Sequence, residues 1–216
     1  MTSSRASSGR CLLALLAALL LAGCVQLGRE RPALAIYAPQ AVIAPDPDWP
    51  TRPLSLAITE PRSSTALDST RIAVRPEPGR LQVYAGAAWS DRAPALVQSA
   101  LIDAFDQGGR FVAVTHGSGE LATDLRLDLE LRQFEAVYTA NAPAPTVTLV
   151  LQAVLVDVRR GQVLATKTLR IETPSEHSRL SEVIPAFEAT LSAAAQALLP
   201  WALQATAPLA PSGRSD

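Results

Sequence analysis

Leucine and charge alternate strictly from residue 124 to 132. In DLRLDLELR, Leu125, Leu127, Leu129 and Leu131 share one side, and Asp124, Arg126, Asp128, Glu130 and Arg132 share the other. A period of two over nine residues predicts a half-buried strand with a solvated ionic face. After Arg132 the phase slips, because the next apolar positions are Phe134, Ala136 and Tyr138. A bulge near Arg132-Gln133 accounts for the slip. TVTLVLQAVLVDV (146–158) is apolar on both sides and suits a central strand, while QVLATKTLRIE (162–172) alternates again after the turn Arg159-Arg160-Gly161. Upstream, LSLAI (54–58) and FVAVT (111–115) read as strands. RIAVR (71–75) and RLQVYA (80–85) flank Pro76-Glu77-Pro78-Gly79, which predicts a hairpin.

Two stretches carry the longer period of a helix. Over 90–107, Ala93, Val97, Leu101, Ala104 and Phe105 fall on one side, with Ser90 or Asp91 as the expected cap and Gly108-Gly109 as the stop. From about Ser178 or Ser181 to Gln204, a stripe runs through Leu180, Ile184, Phe187, Leu191, Ala194, Leu198 and Ala202. Pro185 fits its first turn, and Pro200 is expected to kink or end it. The order of elements predicts an α+β fold, a single domain over 54–205. Its mainly antiparallel sheet packs two amphipathic helices on one face.

The two ends follow other rules. Residues 1–10 are polar with Arg5 and Arg10 and no acid, and CLLALLAALLLA (11–22) is an unbroken apolar run. Together they have the form of a secretory signal peptide, too short for a span of roughly 20 residues. Leu21-Ala22-Gly23-Cys24 then matches the bacterial lipobox, with Cys24 as acceptor of a diacylglycerol before cleavage at residue 23. Cys11 would leave with the signal peptide, so Cys24 has no disulfide partner. One acyl chain anchors marginally, whereas two or three hold a protein permanently. By analogy with the enterobacterial sorting scheme, where an aspartate after that cysteine retains the protein at the inner membrane, Val25 directs it to the periplasmic face of the outer membrane. Residues 24–53 read as a Pro-rich tether, with prolines at 32, 39, 45, 47, 50 and 53 and one strand-like piece, Ala33–Tyr37. Residues 206–216 read as a disordered tail.

Composition narrows the function classes. The 216 residues carry a formal net charge of −1, or −3 once the two arginines of the signal peptide are lost, with 18% charged residues and 48% hydrophobic ones. Nothing in that balance recruits nucleic acid. His116 and His177 have no second ligand at metal-binding spacing. Gly117-Ser118-Gly119 lacks the spacing of a nucleophile elbow, and Gln107-Gly108-Gly109-Arg110 follows a helix where a phosphate loop follows a strand. The carboxylates of DLRLDLELR alternate with arginines on an outward side, the pattern of a cross-strand salt ladder. No catalytic, metal or cofactor site is predicted, and the chain reads as a non-enzyme.

From Leu54 to Val114 the sequence resembles the ABC-type transport auxiliary lipoproteins. The features are a D-x-x-x-I-x-V-R segment (Asp68, Ile72, Val74, Arg75), a turn, the tryptophan Trp89, and an amphipathic helix with Leu96 and Leu101. Phe111 and Val114 follow in a short strand. The family's D-R-x-Q-I is D-S-T-R-I here. The later strands, RRGQVLATKT and the Ala-rich last helix extend the likeness over essentially all the mature chain. The resemblance implies a periplasm-facing lipoprotein working with an ABC transporter (permease and ATPase) and an MCE-domain protein. Such systems move phospholipids or other hydrophobic molecules between membranes. Trp89, at a strand-to-helix junction, reads as a core anchor rather than a partner contact. Two other classes stay open: a lipid-binding carrier with a cavity between sheet and helices, and a different envelope-biogenesis lipoprotein.

Overall fold

The computed structural model describes residues 33–117, 122–140 and 142–207. The predicted signal peptide, Cys24 and residues 208–216 lie outside the described residues. From Leu34 onward the chain is one compact unit of ten strands and two helices among the described residues. The strands are β1 (Ala35–Tyr37), β2 (Arg52–Ile58), β3 (Arg62–Ser63), β4 (Ala73–Glu77), β5 (Arg80–Val83), β6 (Ala87–Trp89), β7 (Phe111–His116), β8 (Leu125–Val137), β9 (Thr146–Asp157) and β10 (Gln162–Pro174). The helices are α1 (Ala93–Gly108) and α2 (Leu180–Ala205).

The long alternating runs build the sheet. β8, β9 and β10 form an antiparallel meander of twelve-residue registers, and the predicted slip is a bulge between Leu131 and Gln133. Antiparallel pairing dominates by length. The other half of the eight-stranded sheet, in order β10-β9-β8-β2-β7, is parallel: β2 lies between β8 and β7, and β3 and β4 also run parallel to β8. Both helices cover one face. Leu127, Leu129, Phe134, Leu149, Leu151 and Leu155 of the sheet meet Val97, Leu101, Phe105, Phe187, Leu191 and Leu198 of the helices in one continuous core.

Three expectations change. In residues 34–53, read as part of the tether, the expected strand-like piece forms β1, paired in parallel with β6, and the chain then lies across the helices as a strap. Ala41 and Ile43 point inward and are buried, while Val42 points out. The Val42 amide donates to Ser192 Oγ, and the Gln196 side chain both accepts from the Ala44 amide and donates to its carbonyl. Proline enforces extension, but alternating small and branched apolar residues let that extended chain bury one side.

The α1 cap is the second change. The cap position is Arg92, with no side-chain cap bond, because Asp91 spends its carboxylate on the Arg92 amide next to it. The stop at Gly109, left-handed at φ 59°, is as expected.

Thirdly, Pro185 lies inside α2, five residues after Leu180, rather than in its first turn, while the helix ends at Ala205, close to the expected Gln204. Its last turn is held from outside: Arg52 donates from Nε and Nη2 to the Leu203 carbonyl at 3.3 and 3.0 Å, and from Nε to Thr206 Oγ1. A cation at a helix C-terminus meets both the free carbonyls and the negative end of the dipole. Thr206, assigned to the tail, is 1% exposed and closes that cap.

Candidate functional site

The D-x-x-x-I-x-V-R segment and Trp89 meet at one end of the core. Asp68 lies in the loop between β3 and β4, where its carboxylate takes Arg92 Nη1; Nη2 reaches Glu60 at 2.7 Å. Asp68 first, and Glu60 second, raise the Arg92 guanidinium above the usual arginine range. This exposed triad ties the loop to the start of α1, where the Ala93 amide also donates to the Ser69 carbonyl. Ile72 is fully buried and Val74 nearly so. Arg75 points to the opposite side of the sheet and pairs with Glu135 through two bonds, Nε–Oε1 at 2.8 Å and Nη2–Oε2 at 3.0 Å. Glu135 is 2% exposed, and Gln133 donates to it as well. The hydrogen bonds that Arg75 donates to Glu135, opposed by partial burial, raise the Arg75 pKa.

Trp89 is 2% exposed, stacked on Phe134 at 5.7 Å and edge-to-face with Phe187 at 4.9 Å. It joins β6, β8 and α2 as a core anchor. Its Nε1 has no hydrogen-bond partner. The same end holds Tyr84 beside Tyr138; burial first, then the Tyr138 hydroxyl, push the Tyr84 phenol up, although no well-formed bond links the two oxygens. Each residue of the motif is therefore committed to joining elements rather than presented for chemistry.

The other candidates do not converge. His116 ends β7 opposite Ile58, which registers with Leu127; His177 precedes Ser178, whose carbonyl receives the Tyr138 hydroxyl. The two exposed histidines are thus at opposite ends of β8. No metal-capable group of three His, Cys, Asp or Glu exists among the described residues. His177 lies on a cleft of about 560 Å³ with Ser175, Glu182 and Pro185, between the end of β10 and the start of α2. A second cleft of about 520 Å³ is lined by Arg62, Ser63, Glu130 and Arg132.

The ionic face of β8 is real, but its pairs run along the strand. Arg126 bonds Asp128 at 2.8 Å, and Arg132 bonds Glu130 at 3.1 Å. The expected cross-strand ladder is met only in part: β9 places Val154 opposite Asp128 and Gln152 opposite Glu130, while on the other side β3 sets Arg62 opposite Glu130. Arg132 reaches across only to the Gln152 amide. Its hydrogen bond to Glu130 lowers that carboxyl's pKa.

Asp124 is a joint that alternation alone did not single out. Its Oδ2 accepts from the Ser55 amide at 2.8 Å and hydroxyl at 2.9 Å, and its Oδ1 pairs with Arg159 at 2.5 Å. Burial pulls the carboxyl up, but those partners outweigh it and hold it below its ordinary value. The signal missed was an acid just before one strand and a hydroxyl inside another that proves to be its neighbour.

A family model for the ABC-type transport auxiliary lipoprotein component matches residues 34–198. The chain belongs to that family. The match begins at the first residue of the packed unit and takes in the strap. A crystal structure of a Xanthomonas campestris protein is similar at TM-score 0.74 and 33% identity, covering 79% of this chain and 95% of that one. An uncharacterised protein of known structure has TM-score 0.57 at 13% identity, covering 74% and 97%, a likeness of fold alone. An uncharacterised protein of Bradyrhizobium diazoefficiens is 29% identical over 154 residues, 70% of this chain. This chain spans 40% of that relative's length. Members of the family are membrane-anchored envelope proteins that accompany ABC transport systems, and the α+β domain described here is the part that the family model covers.

Proposed function

We propose that the chain is an outer-membrane lipoprotein, acylated at Cys24, whose domain serves as a non-catalytic docking component of an ABC/MCE-type transporter. That transporter would carry phospholipids or other hydrophobic molecules between the two membranes. The family match over 34–198 carries the reading. The lipobox LAGC supports it, as does the use of every motif residue as a structural joint. The contact between sheet and helices favours a scaffold over a carrier: Phe134 of β8 packs edge-to-face on Phe187 of α2 at 5.0 Å within one continuous core. Crosslinking in native membranes followed by purification of the full-length tagged protein tests this. An MCE-domain protein and an ABC permease are expected among the captured partners. Capture of neither would overturn the reading.

A further inference from the structure

The strand that follows the leader is apolar where it faces water. In β1 and the residue before it, Leu34 is 58% and Ile36 65% exposed. β1 is short, and its one partner among the described residues is β6. The Ala35 amide donates to the Gly86 carbonyl at 3.0 Å, three residues past Val83. Val83 and Leu81, on β5, are themselves 43% and 38% exposed.

These four side chains share one pole of the domain. β4, which carries β5, registers with residues 135–137 of β8, and β6 delivers Trp89 onto Phe134. The other large exposed apolar residues near a strand end, Val112, Val158 and Val163, belong to the opposite pole. There Ser55 and Leu56 of β2 register with Ala113 and Val114, Leu56 registers with Leu125, and Val163 faces Val156 beside Arg126.

Ten residues separate Cys24 from Leu34, a reach of at most about 35 Å when fully extended. An anchor at Cys24 therefore keeps Leu34, the residue before β1, within that distance of the membrane. Arg71 and Arg80 are exposed on β4's approach and on the hairpin, where Glu77 pairs with Arg80 at 3.1 Å. Exposed apolar side chains with arginines near them, in a domain that begins ten positions after Cys24, have the composition of an interfacial contact with an anionic leaflet.

We infer that the pole formed by β1 and the β4–β5 hairpin rests on the lipid surface, with Leu34, Ile36, Leu81 and Val83 inserted at the headgroup boundary, so that the opposite pole faces away from the membrane. The inference rests on the reading of Cys24 as the acylated residue.

The test separates the two. The chain from residue 25, with an N-terminal hexahistidine tag, is held on phosphatidylethanolamine–phosphatidylglycerol vesicles containing a nickel-chelating lipid. It then has no cysteine, so Ile36→Cys, Val83→Cys, Val112→Cys and Val163→Cys each introduce one nitroxide site at an exposed position. Depth from electron paramagnetic resonance should place the probes at 36 and 83 about 5–10 Å below the headgroup level, with those at 112 and 163 in water. The double change Leu34→Asp, Ile36→Asp should return the probe at 83 to water, with an unchanged unfolding midpoint since both positions are exposed. Probes at 36 and 83 in water, or probes at 112 and 163 immersed, would overturn the proposed orientation. Intact mass of the native protein from membranes reports acylation of Cys24 on its own, so either idea can fail without the other.

Discussion

At the scale of single residues, burial decides what the motif positions do. Trp89 fills the corner between β6, β8 and α2, so Trp89→Ala should cost about 3–5 kcal/mol in urea unfolding. Trp89→Phe should cost much less. It keeps the ring contacts and removes a buried N–H that has no partner. Equal losses for the two variants would show that Trp89 does more than pack. Arg75 and Glu135 predict an asymmetry. Arg75→Met leaves a 2%-exposed carboxylate without its cation and should cost about 3 kcal/mol or more, whereas Glu135→Gln keeps an acceptor for Arg75 and should cost less. The comparison is read from paired denaturation curves at neutral pH.

Asp124 adds a pH dependence. Its pKa in the folded chain is below the unfolded value, so its contribution is complete above the unfolded pKa of about 4 and is lost as pH falls through the folded one. Stability measured from pH 6 down to pH 2 should fall less steeply in Asp124→Asn than in the parent, the variant being weaker at neutral pH. Parallel curves would remove Asp124 from the acid response.

At the scale of elements, the strap and the last turn of α2 are the parts set by side chains from elsewhere. The Gln196 amide bonds the Ala44 backbone twice, as a neighbouring strand would. Gln196→Ala should accelerate hydrogen exchange at Ala44 and its neighbours and cost about 1–2 kcal/mol globally, at roughly 1 kcal/mol per hydrogen bond. Protection unchanged from the parent would mean that Ala41 and Ile43 hold the strap alone. The strap also shows the limit of composition as a guide. Six prolines within 32–53 forbid helix and suggest a tether, yet the extended backbone buries Pro39, Ala41 and Ile43 in alternation as it crosses the helices. Proline density reports conformation; whether that conformation is packed depends on a groove made 150 residues later in the chain.

At the scale of the whole molecule, two membrane links are expected: acyl chains at Cys24 and the apolar pole beside it. Cys24→Ala should leave a folded domain in an uncleaved precursor held at the inner membrane, with transport lost. Sucrose-gradient fractionation checks this, and normal recovery with the outer membrane would refute acylation as the sorting signal.

Periodicity determined the long elements. Alternation over 124–132 and 162–172 and the apolar run 146–158 mark strands, and the slip after Arg132 marks a bulge, since a strand's two sides are a property of its own backbone. The helical stripes marked α1 and α2 for the same reason, and LAGC named Cys24 without any fold. Only the tertiary structure decided which strands became neighbours. The parallel set β7-β2-β8-β4, the Arg75–Glu135 pair, the Asp124–Ser55–Arg159 joint, the Arg52 cap and the strap all link residues at least 30 positions apart. Their hydrogen bonds depend on register between segments, and no local pattern encodes register across such a distance. The same holds for the end of α2: the stripe marked its extent to about Gln204, but the Arg52 and Thr206 contacts that hold the turn beyond Pro200 come from the tertiary structure.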